Sequence, residues 1–104
     1  MATIILEQRF EGRPFDVERF NAAQRRNAPC LRVHGVHHTV SYVTRDGLRM
    51  ICVFEAPDAE SVRDALRSAD IPFDRVWSSD VYAVEDYPAM RDKLEQLRKK
   101  LAEG

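Results

Sequence analysis

Residues 31–55 read LRVHGVHHTVSYVTRDGLRMICVFE, and this stretch decides the fold. Leu31 to Thr44 is rich in β-branched and aromatic residues and is interrupted by Gly35. Arg45-Asp46-Gly47 then supplies hairpin chemistry, because Asp-Gly favours the positive φ that a tight hairpin needs. Leu48 to Glu55 is the return strand, and its apolar run marks it as central.

Working upstream, Thr3 to Phe10 reads as a first strand, ended by the turn residues Glu11-Gly12-Arg13-Pro14. Asp16 is the expected N-cap of a helix through about Arg26, with Val17, Phe20 and Ala23 on one side and Pro29 closing it. Downstream, Ala56-Pro57-Asp58 starts a second helix whose apolar positions Ala59, Val62, Ala65, Leu66 and Ala69 keep helical spacing. Ile71-Pro72 ends it, and Arg75 to Glu85 is expected as a fourth strand. Pro88 stands near the first turn of a last helix, about residues 87–102, which repeats Tyr87, Met90, Leu94, Leu97 and Leu101 as a narrow apolar stripe.

The order is βαββαβ plus a terminal helix. That is an α+β chain of ferredoxin-like pattern, with an antiparallel sheet and its helices on one face. The open face then meets solvent or a second copy, and in the second case it closes a dimeric α+β barrel. One domain is expected over residues 1–104, with its core at about 3–85 and the last helix as an addition. That helix is expected to pack across its own sheet edge or onto a dimer mate.

Composition narrows the partners. Sixteen basic residues against seventeen acidic ones leave a formal charge of −1, so no global field gathers nucleic acid or an anionic membrane, and neither is expected as a partner. The N-terminal apolar run stops at Glu7 and has no basic region before it, which makes a cytoplasmic protein the expectation. Cys30 and Cys52 form no Cys-x-x-Cys unit; they read as two buried free thiols, with a disulfide or a thiolate ligand as the alternatives.

All three histidines, His34, His37 and His38, lie within five positions, and imidazole suits nickel, zinc, copper and iron. On a regular strand His37 and His38 point to opposite faces, so a shared ion needs a bulge. Polar residues inside apolar strands are the second clue. Glu7 shares a face with Ile5 and Arg9, while His37 shares one with Thr39 and Ser41. An open face carrying Glu7, His37, Ser41 and Glu55 would be a polar pocket; the alternative is a Glu7–arginine ion pair and a Glu55 exposed at a strand end. No nucleophile elbow, P-loop or dinucleotide fingerprint is present.

The string Gly35-Val36-His37-His38-Thr39-Val40-Ser41-Tyr42-Val43, then Asp46, then Cys52-Val53-Phe54-Glu55-Ala56-Pro57, resembles the small bacterial nickel-binding proteins of ferredoxin-like fold. Leu6-Glu7 and Ile71-Pro72-Phe73-Asp74 fit the same pattern, and the likeness runs from about Ile4 to Trp77. The resemblance implies a ferredoxin-like protomer, a homodimer built on the open sheet faces, and binding of nickel or another divalent transition metal. It implies no known reaction. Position 38, often tryptophan in that family, is His38 here.

The expected function is therefore divalent-metal binding, with His37, His38, Glu7 and Glu55 as candidate ligands and Ser41 and Tyr42 as pocket residues. The alternative is a dimeric α+β barrel enzyme for a small organic molecule, with His37 or His38 as general base. A third reading is a non-catalytic partner domain using a sheet edge or the last helix.

Overall fold

The computed structural model describes residues 1–103, except the side chains of Asp86 and Met90. In chain order the elements are β1 (Ala2–Arg9), α1 (Val17–Val33), β2 (His37–Val43), β3 (Arg49–Ala56), α2 (Ala59–Ser68), β4 (Arg75–Ser79), a 3-10 turn (Val84–Asp86) and α3 (Pro88–Glu103). The four strands form one antiparallel sheet in the order β2-β3-β1-β4. The expected βαββαβ ferredoxin-like arrangement is the observed one.

Alternation along the strands divides the residues between two faces. Ile4 and Leu6 of β1, Met50, Cys52, Phe54 and Ala56 of β3, and Val76 of β4 are buried on the helix side. α2 completes this core with Val62, Ala65 and Leu66, and its N-cap Asp58 accepts from the Ser61 backbone N–H at 2.7 Å. α1 behaves differently. Its backbone lies close to α2 and stands off the strands, which it reaches through side chains such as Phe20, Gln24 and Leu31, and its one buried residue is polar, Asn27.

Two boundaries and one packing arrangement differ from expectation. α1 does not stop before Pro29 but continues to Val33, so residues 31–33 are helical rather than extended. Proline removes one backbone hydrogen bond, to the carbonyl four residues earlier. The turn beyond it is held by Leu31 packing on the core and by a glycine stop. Gly35 has φ +70°, a conformation that costs glycine nothing, and the Val36 N–H closes the end by bonding the Leu31 carbonyl at 2.9 Å. β4 ends at Ser79 rather than near Glu85, because Ser79 already pairs with Thr3 and β1 has almost run out.

The third difference is α3. Its substantial packing is against the 3-10 turn that precedes it, and it does not cross the sheet edge. Leu97 and Leu101 are 52% and 70% exposed. Met90, assigned to the same stripe, has its side chain outside the described residues. The projecting helix raises the radius of gyration to 16.7 Å, against roughly 13 Å for a compact domain of 100 residues.

Candidate functional site

The open face is built in cross-strand rows. His37, Glu55, Thr3 and Ser79 form one row; Val40, Val53, Ile5 and Trp77 form the next; Tyr42, Ile51, Glu7 and Arg75 form the third. The middle row is wholly apolar. Glu55 lies directly opposite His37 and accepts a hydrogen bond from Thr3 Oγ1 at 3.0 Å. Glu7 is only 7% exposed, and its carboxylate meets Arg49 at 3.0 Å and Arg9 at 3.8 Å. The rows of Thr3 and Glu7 are four residues apart, about 13 Å along the strand. Glu7 is thus an ion-pair carboxylate at the other end of the face from the His37–Glu55 pair.

A β-bulge decides the remaining placements. His38 pairs with Phe54 and Val40 with Val53, so Thr39 is an extra residue. Beyond it the alternation reverses. Ser41, expected beside His37, turns to the helix side with His38, and Val40 and Tyr42 take the open face. The bulge comes after His38 and leaves His37 and His38 on opposite faces. Of the candidate ligands, His37 and Glu55 are brought together, and Glu7 and His38 stand apart from them. Tyr42 is exposed on the open face. Among the described residues, no group of three or more His, Cys, Asp or Glu side chains is arranged to hold one metal ion within a single chain.

On the helix side, His38 anchors a polar chain. Gln24 of α1 hydrogen-bonds His38 Nδ1, His38 Nε2 lies 2.7 Å from Ser41 Oγ, and Ser41 Oγ lies 3.1 Å from Cys52 Sγ. With the Gln24 amide donating to Nδ1, the ring is assigned as the Nε2–H tautomer. Burial, partly opposed by a hydrogen bond with the Val40 backbone, holds the imidazole below the ordinary histidine value and so keeps it neutral. Burial likewise pushes the Cys52 thiol up, against the opposing Ser41 hydrogen bond. In this tautomer the nitrogen beside Ser41 carries the proton and does not accept one, which is the reverse of what a nucleophilic serine needs.

His38 and Cys52 border a cavity of about 270 Å³ between α1 and the sheet. The cavity exists because α1 leans on α2 and stands off the strands. Gln24 and Asn27, which face it from α1, were missed as site residues. Their signal was in the spacing: Phe20, Ala23, Gln24, Asn27 and Leu31 continue one helical stripe, and the two amides are polar interruptions of it. An end to the helix at Arg26 put Asn27 out of view.

The family described as "Nickel responsive protein SCO4226-like" matches residues 5–78. No curated protein matches the chain. Among solved structures, the crystal structure of SCO4226 from Streptomyces coelicolor A3(2) superposes with a TM-score of 0.68 at 17% identity, covering 79% of this chain and 100% of that one. At that identity the likeness concerns the fold.

Proposed function

The chain belongs to the SCO4226-like family of nickel responsive proteins, and from that premise we propose that it binds a divalent transition metal of the nickel type at a site shared between two copies of itself. The observation that carries this reading is the His37–Glu55 pair, directly opposed on β2 and β3 at the polar end of an uncovered apolar face. An imidazole nitrogen and a carboxylate oxygen are donors that nickel, zinc and copper accept, and copper outranks nickel in affinity for such sets, so selectivity rests on geometry or supply. Among the described residues, one chain brings no third His, Cys, Asp or Glu to this pair. Pairing open faces in a homodimer covers the apolar row and supplies a second pair. Thr3, donating to Glu55, orients the carboxylate.

The test is isothermal titration of metal-free, tag-free protein with nickel and with zinc. The expected result is binding tighter than millimolar, lost by about tenfold or more in His37→Ala, weakened in Glu55→Gln and unchanged in His38→Ala. Absence of binding at millimolar metal, or full binding by His37→Ala, defeats the proposal.

A further inference from the structure

We propose that the cavity between α1 and the sheet is a binding site for a small, uncharged, planar aromatic molecule that carries an amide-type hydrogen-bonding edge. This site is on the opposite side of the sheet from His37 and Glu55 and does not depend on the metal reading.

Three observations carry the proposal. The first is an unbroken series of aromatic rings along the wall. Phe10 and Phe15 have centroids 6.1 Å apart, Phe15 and Phe20 5.2 Å, Phe20 and His38 6.2 Å, and His38 and Phe54 4.9 Å. All five rings line the cavity. These spacings lie within the range in which aromatic rings attract one another, about 4.5–7 Å, so a further flat ring finds edges and faces to meet.

The second is Asn27. It is 93% buried, as the complement of its 7% exposure, and it lines the cavity. Its side-chain amide has no hydrogen-bond partner among the described residues. Yet no fully enclosed side-chain nitrogen or oxygen among them lacks a partner. The amide therefore retains some accessible surface, and Asn27 is one of the residues that line the cavity. A carboxamide offers two donors and an acceptor, and its natural complement is another amide-like edge. Gln8 adds a second amide to the lining.

The third is charge. The exposed lining residues Asp16, Arg19, Arg26 and Asp70 supply two charges of each sign. Such a rim selects neither an anion nor a cation. Size agrees: the cavity holds about 270 Å³, and an apolar cavity of about 150 Å³ already takes up benzene.

The experiment is titration of the full-length ¹⁵N-labelled protein with benzamide as the probe, followed by amide chemical shifts, with benzoate and toluene as comparisons. The expected result is saturable benzamide binding in the micromolar-to-millimolar range, with shifts confined to cavity residues such as Phe20, Gln24 and Asn27. Benzoate binds about tenfold more weakly, and Asn27→Leu weakens benzamide about tenfold while leaving toluene unaffected. Ala23→Trp, which fills the cavity from α1, abolishes the shifts from both. No saturable benzamide shift, shifts on the open face instead, benzamide no better than toluene, or unchanged benzamide binding in folded Asn27→Leu overturns the proposal. Should Asn27→Leu not fold, Ala23→Trp decides: loss of binding with a folded spectrum supports the site, and retention overturns it.

Discussion

His38 shows how one side chain ties pH to stability. Its folded-state value is depressed by burial, whereas in the unfolded chain it titrates near 6.5. Below that pH the unfolded state takes up a proton that the folded state refuses, so stability falls as pH drops. The window opens just below pH 6.5 and lies above the range where ordinary carboxylates titrate. Urea midpoints of metal-free protein are expected to fall between pH 8 and pH 5.5, and the fall is expected to flatten in His38→Phe. An equal slope in both proteins removes His38 as the cause. The cysteines offer a second check at this scale. Both are free; Cys30 is half-buried, while Cys52 is buried with its thiol pushed up. Because the thiolate is the reactive form, a thiol reagent at neutral pH is expected to label Cys30 well before Cys52. Cys52 is expected to react at a comparable rate only after unfolding. Equal rates in the folded protein contradict the burial and network that surround Cys52.

At the scale of the element, sequence reading was strongest where a pattern was local. β1, β3 and α2 carry their own periodicity, caps and turns, and each appears within a residue or two of its expected place, as does the turn between β2 and β3; β2 itself starts at His37, six residues after the expected Leu31. It was weakest where partners decide the boundary. β4 stops because β1 runs out, a fact of register that residues 80–85 do not contain. α1 crosses Pro29 because tertiary contacts beyond it outweigh one lost hydrogen bond. That yields a prediction: Pro29→Ala restores the bond to the Arg25 carbonyl in a helix interior, where proline costs about 3 kcal/mol relative to alanine. A gain of about 1–3 kcal/mol is expected in chemical denaturation, and a loss shows that proline fits this helix without cost. α3 leads to the opposite kind of expectation. Because its substantial packing among the described residues is against the 3-10 turn, deleting residues 87–104 is expected to leave the melting of the βαββαβ body unchanged within about 0.5 kcal/mol at concentrations where the chain is monomeric. A large loss shows that α3 supports the body.

For the whole molecule, the candidate site was legible in residue types but not in placement. The histidine cluster and the polar interruptions at Glu7 and Glu55 were visible. A single extra residue, Thr39, then sent Ser41 to the other face, and the arginines beside Glu7 turned a candidate ligand into an ion pair. What remains on the open face is an apolar row, Val40, Val53, Ile5 and Trp77, flanked by Ile51 and Tyr42. Four strands spaced about 4.8 Å apart, over some six residues each, give a plan area on the order of 400 Å². That is comparable to the largest apolar patch an ordinary monomer carries, about 300–600 Å². A stable interface needs about 800 Å² from each partner, so the face alone falls short. The unpartnered stripe of α3, with Leu97 and Leu101 exposed, is the obvious further contribution. The expected species is a dimer of twice the 12.0 kDa chain mass, measured by light scattering at micromolar concentration. Trp77, the one tryptophan of the chain, lies on the open face that a dimer would cover, so its emission is expected to shift to the red on dilution. Val53→Glu places a charge in the middle of that face, where a monomer exposes it harmlessly and a dimer must bury it unpaired. The variant is expected to be folded and monomeric. Loss of residues 87–104 is expected to weaken the dimer by less. A wild-type mass near one chain, or a Val53→Glu protein that still dimerises, rules out the open face as the interface and, with it, the metal site shared between its two copies.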